Sequence, residues 1–267
     1  MRQLVHFIGM RRSGSHAIIN WLQKNAFSDT DKGTAIHFND VFAPYAVPPR
    51  RLRPRDISIT SPSSNVLTLL SYEDLPLALI PKLPTVVSED TILSDSTKHK
   101  FLLLRDPFNA FASRLQRLRT AEKEGFVIAM QKQDWPEIAE LWKSYAREYL
   151  GRTNLIGDKV GFSYNKWFAD KGYRDDLLRD HFGREENLDI GIDEVSPHAR
   201  GSSFDGLSYA GRGREMDTQG RWRHFSNDDF YRNLFRDREL VSLSQEIFGN
   251  ISGTEQLYGN FGSKERR

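Results

Sequence analysis

The chain has 267 residues, 38% of them hydrophobic and 28% charged, which is the make-up of an ordinary globular protein large enough to bury a sizeable core. With 38 Lys and Arg against 36 Asp and Glu, the formal net charge of +2 is too small to argue for a nucleic-acid partner. There is no cysteine, so disulfides and thiolate metal sites are excluded.

In chain order, Leu4–Ile8 is a short apolar run that ends at Gly9 and predicts a strand. A Gly/Ser/Arg turn follows, and then His16–Asn25 carries Ala17, Ile18, Trp21 and Leu22 at helical spacing. Thr34–Phe38 and Val66–Tyr72 are further strand candidates, the latter running into Glu73 and Asp74, and Thr85–Ser88 reads as a short edge strand. Lys100–Leu104 is the clearest strand. It leads into Arg105 and a helix starting near Asp106, where Pro107 loses nothing by lacking an N–H. Trp135–Leu150 predicts an amphipathic helix, Asn154–Tyr164 a strand, Tyr173–Phe182 a helix and Asp228–Phe248 a helical tail with Phe230, Leu234, Leu240, Leu243 and Ile247 apolar.

Strands that alternate with helices and read as continuous apolar runs imply a parallel sheet covered on both faces. The expected fold class is therefore α/β: a single domain over 1–267 with a central, mostly parallel sheet flanked by helices. Arg11, Arg12, Ser13 and His16 interrupt the first apolar stretch too early for a secretion signal. No run approaches the roughly 20 apolar residues of a membrane span, so a cytoplasmic protein is expected. Two segments stay open. The basic run Pro48–Arg55 suits either a solvated, proline-stiffened loop or a contact for an acidic substrate. Gly183–Gly220, poor in periodic pattern, suits a functional or mobile loop.

Ligands of open α/β sheets sit beyond the carboxyl ends of the strands. The first such place is Gly9-Met10-Arg11-Arg12-Ser13-Gly14-Ser15-His16. Its glycines permit a tight turn, and the amides of Ser13, Gly14, Ser15 and His16 would open the helix N-terminus toward an anion. Arg12 can add a forked, charge-assisted bond, while Ser13 and Ser15 offer hydroxyls. A merely capped helix flanked by surface arginines is the competing reading. The Gly-Lys-Ser/Thr ending of a Walker A loop is missing, which argues against magnesium-ATP chemistry. The second place is Arg105 at a strand end, with Ser113 eight residues on; both can face one ligand if the intervening segment begins as a turn.

On these residues the chain resembles the sulfotransferases that use 3'-phosphoadenosine 5'-phosphosulfate (PAPS). Arg12-Ser13-Gly14-Ser15-His16 is similar to their 5'-phosphosulfate loop, with His16 in place of a hydroxyl residue. Arg105-Asp106-Pro107 with Ser113 matches the spacing of their 3'-phosphate motif. Gly161-Phe162-Ser163-Tyr164 resembles the strand that brings a tyrosine near the adenine, and Gly220-Arg221-Trp222-Arg223 resembles a Gly-x-Trp-Lys segment. The basic triplet expected upstream of that segment is absent; Arg212 and Arg214 are its candidate substitutes.

The resemblance implies transfer of a sulfonate from PAPS to a hydroxyl or amine acceptor, a carbohydrate among the candidates, with 3',5'-adenosine bisphosphate as leaving group. Arg12 would stabilise the leaving phosphate, and no metal is expected. Cofactor-binding candidates are thus Arg12, Ser13, Gly14, Ser15, His16, Arg105, Ser113, Tyr164, Arg221 and Trp222. For the general base, Glu73 comes first, Asp74 second, and His37 is the other contender. The acidic pair could equally cap a helix, and His37 could be a core histidine. A P-loop phosphotransferase or nucleotide hydrolase, and a non-catalytic nucleotide or polyanion binder, are the alternative functions.

Overall fold

The computed structural model describes residues 2–27, 33–41, 65–80, 97–125, 134–185, 189–196 and 201–259. The proposed strand Thr85–Ser88, the basic run Pro48–Arg55 and part of Gly183–Gly220 lie outside them. The chain divides into two compact units, one comprising Met1–Leu104 with Asn154–Met216 and the other Arg105–Thr153 with Asp217–Arg267.

The first unit holds the sheet. Strands β1 (Arg2–Gly9), β2 (Thr34–Phe38), β3 (Val66–Glu73), β4 (Thr97–Leu104) and β5 (Val160–Ser163) lie in the order β2-β3-β1-β4-β5. All four pairings are parallel, so this is the expected α/β fold with a central parallel sheet. Gly9 ends β1 in register with Glu73 of β3 and Leu103 of β4. The central strands are buried on both faces, which is why they read as apolar runs rather than alternating ones.

On one face, Val5, Phe7, Leu67, Leu69, Phe101, Leu103 and Phe162 form a core with three helices: α1 (Ser15–Asn25), α4 (Tyr164–Ala169) and α5 (Lys171–Phe182). Ile18, Ile19, Trp21 and Leu22 supply the α1 side of that core. The rings of Phe7, Phe101 and Phe162 meet edge to face with centroids 5.8–6.3 Å apart, the arrangement their quadrupoles favour. On the other face His6 shares a 2.8 Å hydrogen bond between Nδ1 and the Tyr72 hydroxyl. Burial, aided by Lys100 and Lys98, lowers His6 to about 4, so it is neutral at pH 7.

The second unit is helical: α2 (Pro107–Lys123), α3 (Trp135–Tyr149), a 3-10 turn at Arg221–Phe225, α6 (Asp229–Leu234), α7 (Arg238–Phe248) and α8 (Glu255–Tyr258). Asp106 caps α2 through Asn109 N–H, and Pro107 takes the first position, as the sequence predicts. Asp228 and Asp237 cap α6 and α7 in the same way.

One sequence expectation needs correction. The strand foreseen over Asn154–Tyr164 is confined to Val160–Ser163. Gly157, at φ 75°, turns the preceding segment, whose Ile156 carbonyl accepts from the Lys100 ammonium rather than from a strand. Tyr164 begins α4, with the Ser163 hydroxyl as its N-cap. The helical tail is made of two helices, α6 and α7, because Asp237 opens a new N-terminus, and its Phe230 is 44% exposed. Among the described residues no helix is long and apolar enough to cross a membrane.

Candidate functional site

The chain leaves β1 toward β2 on one side of the sheet and leaves β4 toward β5 on the other. The order reverses between β1 and β4, and the crevice at such a reversal is where open α/β sheets hold ligands. The turn at residues 10–14 emerges there. Its backbone enters the left-handed region at Arg12 (φ 70°) and again at Gly14 (φ 90°). A non-glycine residue at such a φ is uncommon, and it persists only where its surroundings enforce it.

Ser13 N–H closes the turn on the Met10 carbonyl at 3.2 Å. Gly14 then serves as N-cap of α1 with no side-chain cap, leaving the first-turn amides of Ser15 and His16 to open the helix. A Cβ on Gly14 would lie 2.1 Å from the Tyr164 ring, so glycine is demanded by packing as well as by φ. Tyr164 is thereby brought onto the loop. Ser13 and Ser15 are buried, and the Arg12 guanidinium donates to the Gly201 carbonyl at 3.3 Å. That carbonyl opens the turn 201–206, which closes on itself through the Ser202–Gly206 bridge and a 2.9 Å bond from the Ser202 hydroxyl to Asp205.

Beside this loop, at the ends of β2 and β3, four charged side chains converge. The Arg11 guanidinium reaches Asp40 at 2.9 Å through Nη2, Glu73 at 3.3 Å through Nε and Asp74 at 3.5 Å through Nη1. Its own amide donates to Asp74 Oδ1 at 3.0 Å, and Asp74 N–H donates back to the Gly9 carbonyl at 3.1 Å. Asp74, placed at φ 56°, therefore stitches the loop to β3 instead of capping a helix. One positive charge faces three carboxylates, so the group holds excess negative charge with little access to water. Glu73 is the most exposed of the three, its side chain 14% accessible. Desolvation raises its pKa to about 7, helped by Asp40 and Asp74 and opposed by Arg11 and Arg12.

His37 lies next to this group. Its Nε2 is 2.9 Å from the Ser71 hydroxyl, which also accepts the Asp40 N–H at 3.1 Å. The His16 ring stands edge-on to His37 with centroids 5.9 Å apart. The structure thus brings together Glu73, Asp74, His37 and His16, which the sequence named separately. Arg11 and Asp40 were missed. The signal available for Arg11 was its adjacency to Arg12 in a turn, which does not say which arginine points inward.

In the second unit, Arg105, Ser113 and Arg221 meet. The Ser113 hydroxyl lies 3.4 Å from Arg105 Nη1 and 3.3 Å from Arg221 Nη1, and all three residues are at most 6% exposed. Asp106, directly after Arg105, is the N-cap of α2, its carboxylate accepting from Asn109 N–H at 2.8 Å, and Ser113 lies on that helix. The Arg105 carbonyl is fixed by the Trp142 indole N–H at 2.9 Å, and Arg105 Nη2 donates to the Thr218 carbonyl. Thr218, unmarked by the sequence, has a buried hydroxyl without a hydrogen-bond partner among the described residues. Trp222 is buried, its amide donating to Asn109 at 3.3 Å. Arg212 and Arg214, the candidate substitutes for a basic triplet, form surface ion pairs with Glu215 at 3.0 Å and Asp193 at 2.7 Å.

Among the described residues no three His, Asp or Glu side chains are arranged to hold a metal ion. No protein-family model matches the chain, and no curated protein matches it at a significant level.

Proposed function

We propose that the chain is a sulfotransferase, moving a sulfonate from PAPS to a hydroxyl or amine acceptor. The observation that carries this reading is the Ser113 hydroxyl, on which two buried guanidiniums, from Arg105 and Arg221, converge. Two fixed cations and a hydroxyl suit a phosphate dianion, which accepts several charge-assisted bonds at once. The buried hydroxyl of Thr218, the residue whose carbonyl accepts from Arg105, fits the same ligand. The residues around it repeat the spacing of the family's 3'-phosphate motif, while the loop at 12–16 repeats its 5'-phosphosulfate motif.

In this reading Arg105, Ser113 and Arg221 are the residues of the 3'-phosphate motif, and Arg12 with the amides of Ser13 to His16 are those of the 5'-phosphosulfate motif. PAPS supplies the sulfonate, with 3',5'-adenosine bisphosphate leaving. The chain itself has to place donors where charge develops on the leaving phosphate, each commonly worth a few kcal/mol, and to take the acceptor's proton. Glu73 suits the proton-accepting role, since a carboxylate raised to about 7 is near the ideal strength for a base at neutral pH. His37 is the alternative proton acceptor.

Calorimetry with 3',5'-adenosine bisphosphate, AMP and ATP, with and without magnesium, tests the assignment. Selective, metal-independent binding of the bisphosphate is expected, and Arg105→Ala should weaken it about tenfold or more while changing AMP little. Equal losses for both ligands would remove the 3'-phosphate assignment, and magnesium-dependent ATP binding of similar strength would favour a phosphotransferase or nucleotide hydrolase.

A further inference from the structure

The base assigned above is held by groups that no reading of its own motif would single out. Glu73 does not own its cation. Arg11 is divided among three carboxylates, and its shortest contact, 2.9 Å, goes to Asp40 rather than to Glu73 at 3.3 Å. Asp40 is 2% exposed and stands at φ 46°, in the left-handed region, just after β2. Its amide is tied to Ser71 of β3, two residues before Glu73. Asp40 is therefore anchored to the strand that carries Glu73 while its side chain draws on the arginine that Glu73 needs.

We propose that Asp40 is a positioning residue for Glu73: by sharing Arg11 it decides how much of that guanidinium's charge the candidate base receives. This rests on the reading of Glu73 as the proton acceptor. Three carboxylates around one guanidinium in a poorly solvated pocket stay ionised only at a cost, so the carboxylate with the weakest hold on the arginine gains proton affinity. Asp74 has the Arg11 amide as an additional donor and Asp40 has the closest guanidinium contact. Glu73, whose contact with Arg11 is longer than that of Asp40 and which is the most exposed of the three, is left as the carboxylate with the strongest tendency to take up a proton, which suits a base.

Among the described residues, the charged and titratable groups that act on Glu73 are Arg11 and Arg12 from the loop after β1, Asp40 after β2 and Asp74 after β3. His37 of β2 joins through Ser71, with His16 of α1 against it. Asp74 is bonded to the loop backbone at Arg11 and Gly9, whereas Asp40 reaches Arg11 through its side chain, so Asp40 can be altered with those backbone bonds retained.

The test is a 13C-carboxylate NMR titration of the full chain, with Glu73→Gln identifying the resonance, alongside the pH–rate profile of sulfonate transfer. Asp40→Asn keeps the shape and removes one competing charge; it should lower the Glu73 midpoint by about one pH unit. The acid limb of the rate profile should move by the same amount. Asp40→Ser, a smaller side chain with the same loss of charge, should shift the midpoint likewise and serves if the asparagine variant does not fold. A midpoint that stays put or rises in the folded variants overturns the proposal. A midpoint that falls while no sulfonate transfer occurs at any pH sustains the sharing of Arg11 and sinks the transferase reading instead.

Discussion

Arg11 and Arg12 are neighbours in one turn with opposite environments. Arg11 is 8% exposed and held by three carboxylates, whereas Arg12, at φ 70°, turns its guanidinium to the Gly201 carbonyl. Arg12 takes a left-handed backbone step that Arg11 does not. The charge balance around Arg11 has a measurable consequence for stability. Burial raises Glu73 from 4.5 to about 7, so the folded protein binds this proton more tightly than the unfolded chain does. The resulting stabilisation is complete below pH 4.5 and is lost as pH rises through 7. Glu73→Gln removes that loss. Relative to the native protein, the variant should gain on the order of 3 kcal/mol between about pH 4 and about pH 9. Urea unfolding at both pH values measures it, and a pH-independent difference would contradict the burial argument.

At the scale of elements, the helix starts were written in short local signals and the strand ends were not. Asp106 before Pro107, Asp170 before α5, Asp228 and Asp237 each accept a first-turn amide, so an acceptor at the right offset is enough to begin a helix. Strand length depends on a neighbour's edge. β5 pairs with β4 only from Val160 to Ser163, and nothing within Asn154–Lys159 reveals that its amides find no strand to join. The same distinction governs what a substitution costs. Asp106→Ala should lower stability by about 1 kcal/mol, the usual worth of an N-cap. Phe101→Ala should cost roughly 3–5 kcal/mol, since the ring is fully buried between Phe7 and Phe162 and leaves a cavity. Chemical denaturation of both variants checks the ratio; similar small losses would mean that the aromatic cluster repacks.

For the whole molecule, the sheet and its helices form one compact unit, and two separated stretches, Arg105–Thr153 and Asp217–Arg267, form the other. A ligand that binds only the folded chain stabilises it by mass action. At about one hundred times its dissociation constant, 3',5'-adenosine bisphosphate should raise the unfolding free energy by about 2.7 kcal/mol. Thermal unfolding with and without the bisphosphate measures this, and an unchanged transition would count against the proposed co-substrate.

The sequence by itself determined the α/β class, the parallel sheet, and the two places, at 10–16 and 105–113, where small residues and arginines gather after a strand. These are local facts: apolar runs, a proline at a helix start, glycines where φ must be positive. Only the tertiary structure decided that Arg11 belongs to Asp40, Glu73 and Asp74, that Arg221 joins Arg105 on Ser113, and that Tyr164 fills the space a Gly14 side chain would need. Partners far apart in the chain meet through strand order and helix packing, and charge sharing depends on distances of a few ångströms that no spacing along the chain encodes.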